Sequence, residues 1–198
     1  MTTAKLIEHF AQETHLPVDV NAVLQKIRQL GHDEDDIEFV GVDINADIML
    51  GEIKMFYVRP GPYADPIRHA NIYYCQSLDL SWQRMICCKE LTHLMDPPHT
   101  RTTNVADIEK LAEKIGLPPE MQDPVTDGPE TNRDRLAEWR AAAILLPLAA
   151  RGALLDAYKS GKVSVADIAR LADIPSKYAA FVMSDSWPKI HDLLLKAG

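Results

Sequence analysis

A helix that is apolar on almost every side is predicted for residues 80–95, and such a helix must lie inside the fold. Asp79 precedes this segment, and two consecutive prolines end it. At 100° per residue, apolar side chains cover most of the helix surface. Four polar side chains at its C-terminal end are predicted to fall on one common side, where they must find partners or line a cleft. They are Lys89, Glu90 and His93, with Asp96 directly after the segment.

The polar side of this helix carries the run Lys89-Glu90-Leu91-Thr92-His93, a zinc-binding motif with its first residue changed. In the intact motif, His-Glu-x-x-His, two imidazoles on one helix face hold a metal and the glutamate acts as general base. A protonated lysine has three donors and no lone pair, so it is a cation in the place of a ligand for a cation. The motif therefore predicts a metallopeptidase-like site, and leaves open whether that site holds metal.

The remaining patterns predict a mostly helical α+β fold with a small sheet of about three strands. Segments rich in β-branched and aromatic residues predict strands at 37–44, 48–58 and 70–75. Apolar residues at three- and four-residue spacing predict helices at 5–13, 21–30, 104–115, 133–146 and 147–158. A loop containing Pro118, Pro119, Pro124 and Pro129 follows the helix at 104–115, and we interpret it as a plain connection.

The segment 163–183 is predicted to form a helix, a short turn at Ile174-Pro175 and a second helix. Ser164 is a plausible N-cap for the first helix, and Ser176 falls in the first turn of the second. Helix pairs of this kind can bind DNA, but this second helix offers one cation, Lys177, for contact with phosphate. We therefore interpret the pair as a packing or partner-docking element.

Composition restricts the class of partner and the compartment. The formal net charge is -8, and the acidic run at 33–36 is predicted to be a solvated loop, so nonspecific binding to nucleic acid is not expected. Three cysteines, two of them adjacent, do not favour a disulfide framework and indicate a reducing cytoplasm. No apolar stretch approaches the length of a membrane span, and no targeting segment is recognisable, so we expect a cytoplasmic protein without membrane partners.

Two carboxylates on the helix at 133–146 are candidates for a further ligand. Asp134 and Glu138 are four residues apart and therefore share one helix face. Either side chain could supply the third, carboxylate ligand that a two-imidazole motif lacks.

Four features in this order resemble the ImmA/IrrE family of metallopeptidase-like proteins. They are the strand Asn71-Ile72-Tyr73-Tyr74, the helix containing KELTHLMD, the later run AEWRAAAILLP, and the terminal helix pair. The resemblance covers residues 35–185, and implies a zincin-like domain over residues 1–158 and a helix-turn-helix-like helical region over residues 159–198. Members of the family cleave or antagonise helix-turn-helix transcriptional repressors, often in phage, mobile elements or stress responses. The expected partner is therefore such a repressor.

The resemblance also assigns roles to individual residues. Glu90 matches the general base of the family, and His93 matches its second imidazole ligand. Lys89 stands where the first imidazole belongs. Counting back from the end of the AEWRAAAILLP run gives Asp134 the place of the carboxylate ligand, while Glu138 replaces an asparagine. Both carboxylates remain candidates.

Lys89 leaves two main mechanisms open. In the first, His93 and one of the two carboxylates bind zinc, a deprotonated Lys89 or water completes the shell, and Glu90 activates water. In the second, the Lys89 ammonium replaces the metal and pairs with Glu90 or with one of the two carboxylates, leaving a protein that acts by binding. We favour the second mechanism because it needs no unusual protonation state of lysine. A metal-free hydrolase with Lys89 as base is a third alternative.

Overall fold

The computed structural model describes residues 3–33, 35–47, 49–96 and 129–196, and in these ranges a mixed three-stranded sheet packs with a larger set of helices. Strand β1 (Asp36–Val42) runs parallel to β3 (Ile67–Cys75), and β2 (Gly51–Val58) runs antiparallel to β3. The sheet order is therefore β1-β3-β2. The mostly helical α+β class predicted from the sequence is confirmed.

One face of the sheet is apolar and buried. Ile53 of β2 lies opposite Ile72 of β3, and Ile37 of β1 lies opposite Ala70 of β3. Residues 70 and 72 share a face because side chains alternate along a strand. All four side chains are buried and belong to the same hydrophobic core as Met85 of the following helix.

The helices of the described chain lie close to the predicted positions. Two of them precede the sheet, α1 (Thr3–Phe10) and α2 (Val20–Ile27). After α2 the chain turns at Gly31, whose φ of 103° is a conformation that glycine adopts without steric cost. The later helices are α3 (Leu80–His93), α4 (Pro129–Leu145), α5 (Leu148–Lys159), α6 (Val165–Ala172), α7 (Ser176–Met183) and α8 (Trp187–Lys196).

Helix α3 is buried, as its apolar pattern predicts, and it contacts both the sheet and α4. The Asp79 carboxylate caps it by accepting a hydrogen bond from the backbone N–H of Trp82 at 3.0 Å. Gly51 lets β2 approach the helix closely, since a Cβ atom at this position would lie 2.2 Å from Cγ2 of Ile86. The helix that carries the motif is therefore fixed by a cap and by tight packing.

The segment 163–183 forms two helices joined by a short turn, as predicted. Ser164 caps α6, because its hydroxyl accepts a hydrogen bond from the Asp167 N–H while the Asp167 carboxylate accepts one from the Ser164 N–H, both at 3.1 Å. Arg84 of α3 donates a hydrogen bond to the backbone carbonyl of Asp173 at 3.2 Å. This bond ties the turn between α6 and α7 to the motif helix.

The last helix, α8, is not among the predicted elements. Its Trp187 and Leu194 are buried, and it packs against α1 at the other end of the chain. Trp187, Ile190 and Leu194 recur at helical spacing, so the sequence did contain the signal for this helix.

The acidic run at 33–36 is not wholly solvated, which corrects the prediction. The Asp35 side chain is 10% exposed, forms an ion pair with Arg68, and lies 2.9 Å from Nδ1 of His32. Asp36 begins β1, and its Oδ2 lies 3.0 Å from Nδ1 of His69. At least two carboxylates of the run therefore contact side chains within the fold, and Asp35 is paired with a cation.

Two further predictions concern the segment after α3 and the absence of a membrane span. The helix predicted at 104–115 and the loop with Pro118, Pro119 and Pro124 lie outside the described residues. Pro129, also predicted in that loop, instead begins α4, a position where proline's missing N–H costs no helical hydrogen bond. Within the described ranges, no single helix has the length and apolar composition of a membrane span; Asp134–Leu145 and Leu148–Lys159 meet those criteria only as a pair, across a 76° bend.

Candidate functional site

The motif side chains of α3 are buried where this helix meets α4. Lys89 is 6% exposed and Glu90 is 3% exposed, and the side chain of His93 is 18% exposed. Residues 89 and 93 share a helix face because they are four positions apart. Charged groups at this depth need partners, and α4 brings two of them, Asp134 and Arg140.

Lys89 forms ion pairs with two carboxylates. Its Nζ lies 2.5 Å from Oδ1 of Asp134 and 3.0 Å from Oε1 of Glu90. Burial alone would lower the pKa of Lys89, but the negative charges of Asp134 and Glu90 outweigh burial and raise it. Lys89 is therefore an ammonium at neutral pH, and neither a metal ligand nor a general base in this arrangement.

Asp134 is the partner that α4 supplies to this ammonium. Burial would raise the pKa of Asp134, but the charge of Lys89 and the contact with His93 hold it well below its usual range. Asp134 is therefore an anion across the physiological range. Its Oδ1 also lies 3.8 Å from Nε2 of His93, so it faces two cations at once.

His93 lies between two carboxylates. Its Nδ1 lies 2.7 Å from Oδ2 of Asp96, while its Nε2 faces Asp134. Burial would lower the pKa of His93, but its interactions with Asp134 and Asp96 raise it to about 9. At neutral pH the metal-free ring therefore carries protons on both nitrogens, and it would have to lose one of them to bind a metal.

Asp96 extends the cluster back to α4. Its Oδ1 accepts a hydrogen bond from Nη1 of Arg140 at 3.0 Å. Burial would raise the pKa of Asp96, but His93 and Arg140 hold it below its usual range. Cations and anions thus alternate along one line through the interior. This ion-pair cluster consists of Glu90, Lys89, Asp134, His93, Asp96 and Arg140.

Glu138, the second candidate carboxylate predicted from the sequence, does not pair with the Lys89 ammonium. Among the described residues, Glu138 forms no ion pair with Lys89, whereas Asp134 does. Burial raises the pKa of Glu138, and the nearby charge of Lys177 opposes that rise. Glu138 also acts on Tyr178: burial and then the Glu138 charge raise the pKa of the tyrosine. Glu138 therefore belongs to the rim next to α7 rather than to the Lys89 pair.

Glu90 has unused hydrogen-bonding capacity. Its Oε1 lies near the Lys89 ammonium but makes no hydrogen bond of good geometry to any described residue. Burial raises the pKa of Glu52 on β2, and the Glu90 charge raises it further, so the two carboxyl groups are neighbours. The side of the site that faces the sheet therefore has two neighbouring carboxyl groups, Glu52 and Glu90. The side that faces α4 has the ion pairs formed by Asp134 and Arg140.

The donor set does not fit a divalent metal in this arrangement. A ligand must offer a lone pair, yet Lys89 and His93 are both protonated, and the ammonium already contacts Asp134. Within the described ranges, no three His, Cys, Asp or Glu side chains are grouped so as to hold a metal ion. Zinc could enter only with loss of protons from the cluster.

Three residues that shape this site were not predicted from the sequence: Arg140, Tyr178 and Glu52. Arg140 is the cation nearest the middle of an alanine-rich, buried stretch of α4, and that position could have indicated a buried partner. Tyr178 and Glu52 carry no comparable signal, because they approach from α7 and β2 through tertiary packing.

Comparison with known proteins adds no family assignment: no family model matches the chain, and no curated protein matches it.

Proposed function

We propose that this protein is a metallopeptidase-like regulator that acts by binding a helix-turn-helix transcriptional repressor, without zinc-dependent hydrolysis. The observation that supports this proposal is the contact of the Lys89 ammonium with Asp134 and Glu90. By resemblance, these are the carboxylate ligand and the general base. A fixed cation therefore takes up both groups that hydrolysis would use.

The energetics of burial favour keeping this arrangement. Removing one partner of a buried ion pair costs roughly 3–5 kcal/mol, because the other charge is left unpaired. Deprotonating Lys89 has the same effect on Asp134. A water-activating site would have to meet that cost before any metal bound, whereas a binding protein would not.

The proposed partner follows from the resemblance, and the charge of the chain is consistent with it. Repressors that bind DNA carry clustered lysine and arginine, and this chain has a formal net charge of -8. Complementary charge speeds encounter and favours a basic partner over nucleic acid itself. The C-terminal pair α6 and α7 would then serve as a packing or docking element.

A zinc endopeptidase that cleaves the repressor is the second candidate, and one observation favours it. Nε2 of His93 and Oδ1 of Asp134 converge to 3.8 Å, so the two ligands named by the resemblance do meet. This reading requires the Lys89 ammonium to leave Asp134.

Metal content separates the two candidates. The natural protein, purified without a metal-binding tag and equilibrated with zinc, is compared by mass spectrometry with Lys89→His and with Lys5→His, a control on the exposed side of α1. The proposal expects zinc at one equivalent in Lys89→His and none in the other two proteins. One equivalent of zinc in the natural protein would overturn it.

Binding and cleavage are tested on the helix-turn-helix protein encoded nearest to this chain. The proposal expects a complex by calorimetry, an intact partner by mass spectrometry, and unchanged affinity in Glu90→Gln. Cleavage that a chelator and Glu90→Gln both abolish would establish the endopeptidase instead. Glu8→Gln, an exposed change on α1, controls for the loss of one carboxylate.

A further inference from the structure

Two aromatic rings beside the ion-pair cluster hold the ammonium of the chain's own Lys177. Its Nζ lies 4.7 Å from the centroid of the Trp82 ring and 4.6 Å from the centroid of the Tyr178 ring. The rings meet edge to face with centroids 6.0 Å apart. An ammonium at this distance is attracted by the quadrupoles of both rings. We call the rings of Trp82 and Tyr178, together with the Glu138 carboxyl, the cation cage.

Lys177 is held only loosely in the cation cage. It forms no ion pair with any described residue, and its side chain belongs to an exposed position on α7. Its charge nevertheless acts on the Glu138 carboxyl, which places a carboxyl near the rings. When Lys177 leaves the rings, the Glu138 carboxyl loses this neighbouring positive charge, and an entering cation would restore it.

The Tyr178 hydroxyl lies on the carboxyl side of the cage. Tyr178 is 4% exposed, and after burial the charge of Glu138 and a side-chain hydrogen bond to it raise the pKa of the hydroxyl. The hydroxyl and the carboxyl therefore lie together beside the rings, where an entering ammonium would meet oxygen acceptors.

A cleft of about 360 Å³ opens beside the Trp82 ring and gives an entering chain room. Its lining includes Asp79, Asp173, Ser81 and Ser176 together with one cation, Arg170. The Asp79 carboxylate already caps α3 and the Asp173 carboxylate pairs with Arg84, so the cleft contributes room beside the cage rather than free anions.

We propose that the cation cage binds a lysine or arginine side chain of a basic protein partner, which displaces Lys177 from the rings. Lys177 is then a built-in competitor that occupies the cage in the free protein. That the partner is a repressor rests on the proposed function, but the cage itself does not depend on it. The net charge of -8 favours a basic partner over a phosphate-bearing one.

The test uses the full-length ¹⁵N-labelled protein and N-acetyl-lysine N-methylamide as the probe. Binding is followed by the indole N–H resonance of Trp82, which is assigned with Trp82→Phe. Lys177→Ala and Lys177→Gln empty the cage, while Lys189→Ala removes another exposed lysine, on α8, as a matched control. We expect both Lys177 variants to bind the probe roughly five-fold tighter than Lys189→Ala, and Glu138→Gln to remove that gain.

Equal affinity in the Lys177 and Lys189 variants would overturn the proposal. Equal binding of N-acetyl-norleucine N-methylamide, which lacks the charge, would also overturn it, because apolar packing would then explain the result. If the probe binds as expected but no helix-turn-helix protein does, the cage stands and the proposed repressor partner fails.

Discussion

Nζ of Lys89 lies 2.5 Å from Oδ1 of Asp134, and this contact joins the motif helix α3 to α4 inside the protein. The two residues are 45 positions apart in the chain, so the pair is a tertiary contact that depends on the packing of both helices.

Replacing Lys89 with methionine should lower the free energy of unfolding by roughly 3–5 kcal/mol. Methionine keeps the length of the side chain but leaves the carboxylates of Asp134 and Glu90 without their shared cation. Urea denaturation followed by circular dichroism measures the change.

Lys5→Met removes an exposed lysine from α1 and controls for the loss of one positive charge. The double variant Lys89→Met/Asp134→Asn should recover part of the lost stability, since it removes the orphaned charge as well. A cost for Lys89→Met no larger than that for Lys5→Met would mean that the pair does not stabilise the fold.

The contribution of His93 to stability should depend on pH. Folding raises the pKa of His93 from 6.5 to about 9. A raised pKa stabilises the fold fully below pH 6.5, and that stabilisation is lost as the pH rises through about 9. The full contribution is about 3 kcal/mol.

Titration of the His93 ring by NMR measures its pKa directly, and denaturation of the natural protein and His93→Gln at several pH values measures the linkage. The stability difference between these two proteins should shrink as the solution becomes alkaline. A His93 ring that titrates near 6.5, the value of a free imidazole, would contradict the prediction.

Gly51→Ala should destabilise the protein by about 1–3 kcal/mol, because the added Cβ meets Cγ2 of Ile86. Gly152→Ala is the matched control: it lies within α5 with open space around it, and should stabilise the protein by roughly 0.5–1 kcal/mol. Thermal unfolding of both variants checks the opposite signs. Adding Ile86→Ala to Gly51→Ala should relieve only part of the clash, because the added Cβ would still lie 2.8 Å from the backbone oxygen of Tyr73 on the neighbouring strand. Complete relief would show that Ile86 alone is the obstacle.

Ser164→Ala should cost about 1 kcal/mol, because it removes the hydroxyl that satisfies the Asp167 N–H at the start of α6. Ser160→Ala is the comparison, since that exposed hydroxyl donates only to a backbone carbonyl, that of Ala157. Hydrogen exchange at the first amides of α6 should rise in the first variant alone. Equal exchange in both would mean that the cap does not hold this helix end.

The burial of α3 could be predicted because its apolar residues surround the helix, and that signal is local. The partner of Lys89 could not be chosen from the sequence. Asp134 and Glu138 lie on the same face of α4, and the angle at which α4 crosses α3 decides which carboxylate meets the ammonium. Local periodicity contains no information about that angle.

The prediction for the acidic run at 33–36 was also wrong because of a tertiary contact. Four consecutive acidic residues are typical of a solvated loop, yet Asp35 pairs with Arg68, which is 33 positions away. The parallel pairing of β1 with β3 brings these residues together. A long-range strand register therefore overrides the composition of the segment.

The ion-pair cluster has as many cationic as acidic side chains: Lys89, His93 and Arg140 against Glu90, Asp96 and Asp134. Any single substitution that changes one of these charges leaves the protein interior with a net charge. Few single substitutions in the cluster would therefore be tolerated, and replacing its residues in compensating pairs would cost less stability than replacing them singly. An evolutionary route between this arrangement and a metal-binding one would have to pass through such paired replacements, or through a bound ion that restores neutrality at the moment Lys89 is lost.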